Sequence, residues 1–277
     1  MIVMSEARTD STAPPVSELK ADSRLIVLLG STESIKSVSK RLAGISDFTR
    51  VRRGLFIAHS FSSSYAELLE NISTISFVRT REIPGIKKHN DDVFADRAFS
   101  IVSYTFSNPT SGQKKKVERL IRKSICIRLR PSVLLFPVLR SKERRRLLER
   151  ERGEKLLDAR SFAVQLTAMG ATTNRWSRIK LVNPSESSRI SAAVERTLKK
   201  DMHSLETKIQ DLRDASKNPE VKTSRIKRKF SLLTRRYKIL KTKWLTTKPI
   251  WSYDTIRPLK RTYNMLLSMR RILETRE

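Results

Sequence analysis

Cysteine and histidine are scarce in this chain of 277 residues, which has one cysteine and three histidines. A single cysteine excludes an internal disulfide framework, and Cys126 with His59, His89 and His203 lacks the spacing of a zinc site. The cysteine usage is consistent with a reducing compartment, so we expect a cytoplasmic protein. We expect no metal and no cofactor.

Glycine and long apolar runs are also scarce. Seven glycines are present, and neither GxGxxG nor GxxxxGK[ST] occurs, which argues against Gly-rich nucleotide loops. The longest apolar run is LIVLL at 25–29, far short of the ~20 residues that span a bilayer. The first 22 residues read as a polar tail and not as a signal peptide. We therefore expect no membrane insertion, and no small-molecule substrate is evident.

Acidic residues are outnumbered by basic ones, 28 to 58, giving a net charge of +30. Residues 1–95 carry 13 Lys and Arg against 11 Asp and Glu, whereas residues 96–277 carry 45 against 17. Because concentrated positive charge repels itself in a compact fold, it indicates a polyanionic partner. Nucleic acid is the first candidate and an anionic membrane surface is the second.

Hydrophobic periodicity predicts the fold class. Residues 23–83 alternate strand-like and helix-like segments in the order β-α-β-β-α-β, with a hairpin turn near Arg53-Gly54. The same order begins again at residue 98, although no residue-level repeat accompanies it. This order is typical of the ferredoxin-like fold, in which two helices cover a four-stranded antiparallel sheet. A long helix capped by Ser141, either continuous or interrupted at Gly153, is expected within the second unit, and a capping box at Ser64 and Glu67 within the first.

The final third is predicted to be helical. Apolar residues from Ile190 to Leu212 and from Ile226 to Trp244 recur at spacings of three and four, and Asn218-Pro219 marks a turn between the two runs. A last helix is expected around 255–274. The predicted architecture is α+β, with tandem ferredoxin-like (βαββαβ) domains followed by a C-terminal antiparallel helical hairpin or bundle. The predicted boundaries are a tail at 1–22, domain 1 at 23–83, a linker at 84–97, a strongly basic domain 2 at 98–183, and basic helices at 184–277.

The second helix of this hairpin is the most informative basic element. From Lys222 to Lys248 it has eleven Lys and Arg and no carboxylate. One flank holds Lys222, Arg225, Lys229, Arg236 and Lys243, and the other holds Lys227, Lys238 and Lys241. Coiled-coil faces usually mix signs, so three interpretations stay open: contact with a phosphate backbone, a solvated face, or the acidic surface of a partner protein. Tyr237 and Trp244 lie in the apolar stripe, which favours a place in the core.

Three lysines, Lys114 to Lys116, fall in the opening turns of another predicted helix. Cations there oppose the helix dipole, whereas the free N–H groups of a helix start attract an anion, so the lysines are either bland surface charges or phosphate contacts. A third basic segment, ERRRLLERER at 143–152, mixes arginines with glutamates. The predicted nucleic-acid-binding residues are Lys114, Lys115, Lys116, Arg119, Arg122, Lys123, Arg144, Arg145, Lys222, Arg225, Lys227, Arg228, Lys229, Arg235, Arg236, Lys238, Lys241 and Lys243.

Candidate catalytic groups are few. His59 and Ser60 end a strand, but no second histidine or acid lies nearby in sequence to form a relay. Asp91 and Asp92 form a carboxylate pair in the predicted linker beside Lys87 and Lys88, where a metal is not expected. We predict no catalytic residue.

The segment FSIVSYTFSNPTSGQKKKVERLIRKSICIRLRPSVLLFPVL resembles the small ferredoxin-like nucleases of CRISPR adaptation and the related domain of PaaX-type and ChrB-type regulators. The resemblance covers about forty residues: a strand ending in Tyr104, a polar loop, a basic helix and a strand pair around Arg130-Pro131. The nucleases bind a catalytic metal through an aspartate directly after the tyrosine, and here that position is Thr105. The resemblance therefore implies a nucleic-acid-associated fold without the nuclease chemistry. It also implies pairing of such domains through their sheets, either as a homodimer or as an internal pseudo-dimer.

The predicted function is non-enzymatic nucleic-acid binding through Lys- and Arg-rich helices that contact the phosphate backbone of DNA or RNA. Two alternatives stay open. One is a divergent metal-dependent nuclease that uses Asp92 or Glu118, and the other is a scaffold that binds an acidic protein or a membrane surface.

Overall fold

The computed structural model describes residues 19–60, 64–84, 94, 97–148 and 156–275. Within them the chain is a mixed α+β protein with an antiparallel sheet of eight strands. The strands are β1 (Arg24–Leu29), β2 (Phe48–Arg52), β3 (Leu55–Ala58), β4 (Ser73–Arg79), β5 (Phe99–Thr105), β6 (Ile127–Arg130), β7 (Val133–Pro137) and β8 (Thr172–Leu181). The helices are α1 (Thr32–Ala43), α2 (Ser64–Leu69), α3 (Ser111–Arg122), α4 (Ser141–Leu148), α5 (Ala159–Ala168), α6 (Ser187–Lys217), α7 (Thr223–Trp251) and α8 (Ile256–Glu274). None of the helices described has the length and apolarity needed to cross a membrane.

The sheet has the strand order β2-β3-β1-β4-β8-β5-β7-β6. It divides into a first half, β1–β4, and a second half, β5–β8. Read outward from the junction of the two halves, the strand order is β4-β1-β3-β2 in the first half and β8-β5-β7-β6 in the second, so the two halves are ordered alike. The halves join edge to edge through β4 and β8, where Phe77 pairs with Leu181 and Arg79 with Ile179. The two halves are therefore parts of one continuous sheet.

The hairpins β2–β3 and β6–β7 share a register irregularity and one backbone hydrogen bond at equivalent places. Each has a register irregularity at its second arginine, Arg52 in one and Arg130 in the other. The backbone N–H of Leu28 donates to Gly54 O at 2.9 Å, and that of Tyr104 donates to Ser132 O at 3.2 Å in the corresponding place. The matched segments read TRVRRGLFIA (49–58) and IRLRPSVLLF (127–136). The hairpins therefore correspond in backbone geometry, whereas the two segments share only the arginines at 50 and 128 and at 52 and 130.

Both faces of the sheet carry buried side chains, because helices pack on each face. Alternate side chains of a strand point to opposite faces, so neighbouring residues enter different cores. In β1, Ile26 and Leu28 pack with residues of α1 and α2, whereas Leu25 and Val27 belong to the core formed with the C-terminal helices. In the second half, Val102 packs with α3 and α5. Burial on both sides explains why β1 reads as a continuous apolar run and not as an alternating one.

The C-terminal helices cover one face of both halves. The predicted apolar stripe of α6 is buried from Ile190 to Leu212, and Tyr237 and Trp244 of α7 lie in the core as expected. Trp251 at the end of α7 stacks on Phe99 of β5, with ring centroids 6.3 Å apart. One face of the sheet is thus occupied by α6, α7 and α8.

The sheet curls so far that non-neighbouring strands meet. Strands β1 and β6 are separated by four others in the sheet order, yet they are in contact. Arg130 of β6 donates to Leu28 O of β1 at 2.9 Å. Curling therefore brings the free edge of the second half against the first half.

The helix predicted from Ser141 is wrong in its continuous form, because the structure has two helices there, α4 and α5. Gly153, the predicted point of interruption, lies outside the described residues. The Asp158 side chain accepts a hydrogen bond from Ser161 N at 2.8 Å and starts α5 afresh. Leu157, just before it, forms a parallel bridge with Ser124, which pulls the chain out of helical geometry. Residues 149–155 lie outside the described residues. The capping box predicted at Ser64 adjoins residues 61–63, which also lie outside them.

Candidate functional site

Helices α3, α6 and α7 border an open cavity of about 420 Å³, which we call the basic cavity. Among the described residues it is lined by Arg122, Lys208, Asp211, Leu212, Lys229, Leu232, Leu233 and Arg236. Four of these side chains are cationic and one is a carboxylate. The cavity therefore joins predicted cations of α3 and α7, which are more than a hundred residues apart in sequence.

The helix packing explains how these cations meet. Lys229 and Arg236 are seven residues apart on α7, so they share one side of the helix. The Arg236 guanidinium donates to Ser204 Oγ of α6 at 2.8 Å, which fixes its direction. Arg122 lies in the last turn of α3. The sequence could not reveal Lys208, because its role depends on how α6 packs against α3 and α7.

The cations of the basic cavity repel one another, and burial together with this repulsion lowers the pKa values of two of them. Burial, and then the charge of Arg122, lower the pKa of Arg236 to about 10. Burial, followed by the charges of Arg236 and Arg122, also lowers the pKa of Lys208. Arg236 Nε is buried and has no hydrogen-bond partner within the described part of the chain. A bound anion would relieve this repulsion, so the cavity is suited to a negatively charged group.

The rest of the predicted α7 cations split between two sides of the helix. Lys222 and Arg225 are exposed and extend the Lys229–Arg236 side toward the turn between α6 and α7. Exposed residues elsewhere on α7 are Lys227, Arg228, Arg235, Lys238 and Lys241. Lys238 and Lys241 fall on the opposite flank from the basic cavity, so one straight backbone does not contact both flanks.

Lys243 was predicted to bind nucleic acid, and the structure corrects that prediction. Its side chain is 1% exposed, and its Nζ donates to Asp201 Oδ2 at 3.1 Å. The same Nζ donates to Ile121 O of α3 at 3.5 Å. The helical spacing placed Lys243 correctly on the Lys229–Arg236 side, but at this depth α3 and α6 close over it.

Helix α3 presents its basic residues on two surfaces. Arg122 lines the basic cavity, whereas Lys116, Arg119 and Lys123 line a separate, wider cavity of about 650 Å³ beside Met169. Lys114 and Lys115 are exposed. These lysines follow the first turn of α3, and they do not cap it.

The start of α3 is already hydrogen-bonded by side chains. Thr110 Oγ1 accepts from Gln113 N at 3.1 Å, and Thr110 N donates to Gln113 Oε1 at 2.9 Å, which completes a capping box. Less of the helix start is available to an anion than the sequence indicated. The sequence signal of this cap is Thr-x-x-Gln at Thr110 and Gln113, and it was not among the predictions.

The basic segment at 143–152 is only partly described. Arg144 forms an ion pair with Asp158 at 2.7 Å, and Arg145 is exposed. Because Arg144 has an internal partner, it is less suited to phosphate contact. Residues 149–152 lie outside the described residues.

The position of the nuclease metal holds no carboxylate cluster. Thr105 is exposed, and the Tyr104 hydroxyl donates to Pro131 O at 3.1 Å. Burial raises the pKa of Tyr104 to about 12, so it is a neutral hydrogen-bond donor. Glu118 is engaged by Arg128 at 2.8 Å. Across the described residues no group of three or more His, Cys, Asp or Glu is placed to hold a metal; Asp91 and Asp92 lie outside them.

An acid does lie beside His59 and Ser60, which the sequence analysis missed. Asp47 accepts hydrogen bonds from Tyr65 and Ser60, which lower its pKa below the ordinary value. His59 Nε2, however, is bonded to Thr49 Oγ1 at 2.7 Å and not to Ser60. These groups are therefore not arranged as a nucleophile, base and orienting acid.

A comparison with protein-family models, curated proteins and solved structures finds no match to this chain.

Proposed function

We propose that this protein binds nucleic acid without cleaving it and that it contacts the phosphate backbone at the basic cavity and along the adjoining side of α7. One observation carries the proposal. Arg122, Lys208, Lys229 and Arg236, from three helices, line one cavity together with a single described carboxylate, Asp211. Exposed Lys222 and Arg225 continue this positive surface beyond the cavity.

The geometry favours this proposal over a merely solvated surface. Cations that have no ligand to meet gain hydration by spreading apart, whereas here Arg236 is half-buried, and burial, followed by the charge of Arg122, lowers its pKa. Lys and Arg contacts of this kind supply affinity and position but read no base edges. Binding should therefore depend strongly on salt and weakly on sequence.

For the architecture, we propose that each half of the sheet is a ferredoxin-like unit and that the two form an internal pseudo-dimer. The equal strand order of the halves supports this, as do their matched hairpins. Since α6, α7 and α8 cover the shared face, the pairing runs through the strand edges β4 and β8.

The test compares two double variants of equal charge. Lys208→Gln with Lys229→Gln removes two lysines from the basic cavity, and Lys238→Gln with Lys241→Gln removes two from the opposite flank. Binding of single- and double-stranded DNA and RNA is measured between 50 and 200 mM salt. Each lost phosphate contact should lower the salt slope by about 1, so the cavity double variant should lower it by about 2.

The result expected is that the cavity double variant weakens binding more than the flank double variant does. Equal losses would show general charge attraction, and the absence of any salt slope would contradict nucleic-acid binding. Tighter binding to polyglutamate or to anionic lipid vesicles than to every nucleic acid would favour the scaffold alternative instead.

A further inference from the structure

A second cavity lies where the two halves of the sheet meet, and we call it the inter-half cavity. It measures about 370 Å³ and is bounded by the end of β1, the edge strand β6, and helices α3 and α6. Leu29 and Gly30 come from the first half, and Arg130 and Pro131 from the second. Neither half forms it alone.

The charges of the inter-half cavity are unbalanced. Two carboxylates line it, but both are engaged: Glu118 with Arg128 at 2.8 Å, and Asp201 with buried Lys243 at 3.1 Å. Arg130, Arg196 and Lys200 remain. No carboxylate in the described part of the chain lies within 4.0 Å of these three cations. The cavity thus has an excess of about three positive charges, although the charge of Lys200 also acts on Glu118.

Main-chain contacts fix two of these cations. Arg130 donates to Leu28 O at 2.9 Å, and Arg196 donates to Leu129 O at 3.4 Å. Each guanidinium keeps further N–H groups beyond the one so used, because arginine has five donors. Burial, and then the charge of Arg53, lower the pKa of Arg130. The arrangement matches an anion that accepts several hydrogen bonds.

Beside the charged groups and two threonines, Thr32 and Thr197, part of the wall is apolar. Leu29, Ile121, Leu129 and Pro131 line the cavity beside the cations. Its volume falls within the range of about 300–1,000 Å³ that small-molecule sites occupy, and such sites combine apolar walls with a few convergent polar groups. A free inorganic ion would leave these walls uncovered.

We propose that the inter-half cavity binds a small organic phosphate, a phosphate monoester with an apolar or aromatic body. The dianionic phosphate lies between Arg130, Arg196 and Lys200, and the body packs on Leu29 and Pro131. This site is separate from the basic cavity and does not depend on the proposed nucleic-acid binding. Because both halves contribute walls, the ligand also holds the halves together.

The test uses adenosine 5′-monophosphate as the probe, with adenosine and inorganic phosphate as comparisons. Binding to the full chain is measured by calorimetry, and the melting temperature is recorded with each compound. We expect the monophosphate to bind more tightly than either comparison compound and to raise the melting temperature, since a ligand of the folded state stabilises it. Equal binding of adenosine would overturn the role of the cations, and equal binding of inorganic phosphate would overturn the role of the apolar walls.

Matched variants separate the two cavities. Arg196→Gln with Lys200→Gln should weaken binding of the monophosphate about tenfold or more, since two charge-assisted hydrogen bonds are lost. Lys208→Gln with Lys229→Gln removes the same charge from the basic cavity and should leave this affinity unchanged. If both double variants weaken it equally, or neither does, the inter-half site is refuted, whatever the outcome for nucleic acid. The four replaced side chains are all exposed, so the substitutions should not disturb the fold, and circular dichroism checks this.

Discussion

Arg52 and Arg130 occupy the same place in the two hairpins of the sheet, and each donates to a main-chain oxygen of the other half. Arg130 reaches Leu28 O at 2.9 Å, and Arg52 reaches Thr172 O at 3.5 Å. The Arg130–Leu28 distance is typical of an N–H···O hydrogen bond, whereas the Arg52–Thr172 distance is long for one. Each half thus contacts the other through one arginine, in addition to the pairing of β4 with Ile179–Leu181 of β8.

Replacing Arg130 should loosen this fastening. Arg130→Ala removes a charged donor from a buried carbonyl, so we expect the free energy of unfolding to fall by about 1–3 kcal/mol. Urea denaturation measures it. Arg50→Ala, an exposed arginine on the matching hairpin, is the control and should stay within about 0.5 kcal/mol of the wild type. Equal effects of the two changes would mean that the contact with Leu28 adds no stability.

Gly54 is needed where Arg130 approaches it. Its φ is +75°, and a Cβ there would lie 3.0 Å from Arg130 Cζ and 3.1 Å from Ile35 Cγ2. Gly54→Ala therefore combines backbone strain of about 1–2 kcal/mol with a steric clash. Gly170→Ala, at φ +83° with open space around it, supplies the strain alone. Thermal unfolding should show the larger loss for Gly54→Ala, and a larger loss for Gly170→Ala would contradict the close approach of the halves.

Lys243 should matter for stability and not for binding. Lys243→Met leaves the Asp201 carboxylate without its buried partner, which costs about 3–5 kcal/mol when a buried pair is broken. The dependence of nucleic-acid binding on salt should be the same for the Lys243→Met variant as for the wild type. Lys241→Met, an exposed neighbour on α7, is the control and should leave the stability unchanged. A lowered salt slope in Lys243→Met would return this residue to the binding surface.

The Glu118–Arg128 ion pair should make stability depend on acid. Burial alone would raise the pKa of Glu118, but the hydrogen bond and charge of Arg128, together with Lys200 and Arg122, lower it below the ordinary value. A carboxyl with a lowered folded-state pKa contributes stability above its unfolded pKa of about 4.3 and loses it as the pH falls through the folded value. The wild type should therefore melt at a higher temperature than Glu118→Gln at pH 7, and the difference should shrink as the pH falls through the lowered folded-state pKa of Glu118. A difference that stays constant down to the acid limit of folding would show that the pair is not its cause.

Local patterns predicted most of the elements, because each pattern reflects burial. The spacings of three and four in α6 and α7 predicted the buried stripe, and the turn near Arg53-Gly54 lies where expected. The long helix after Ser141 failed because Asp158 caps a new helix and Leu157 pairs with Ser124, both within a stretch that is helical by periodicity.

The candidate site was less predictable than the fold. The cations of α3 and α7 were named from charge alone, but which of them meet depends on tertiary packing. Arg122 and Arg236 converge, whereas Lys243, on the same side of α7 as Arg236, is buried. Lys208 carried no local signal, since its surroundings come from two other helices.

The covering of the sheet by α6, α7 and α8 has a consequence for evolution of the binding surface. Helix α7 gives its apolar stripe to the core shared by both halves and most of its cations to the solvent, whereas Lys243 is buried and Arg236 half-buried. The exposed cations can therefore change in number and kind, while the apolar residues between them are held fixed by the fold. Related chains should then share the apolar spacing of α7 more closely than its charges, and the binding preference can change without a new domain.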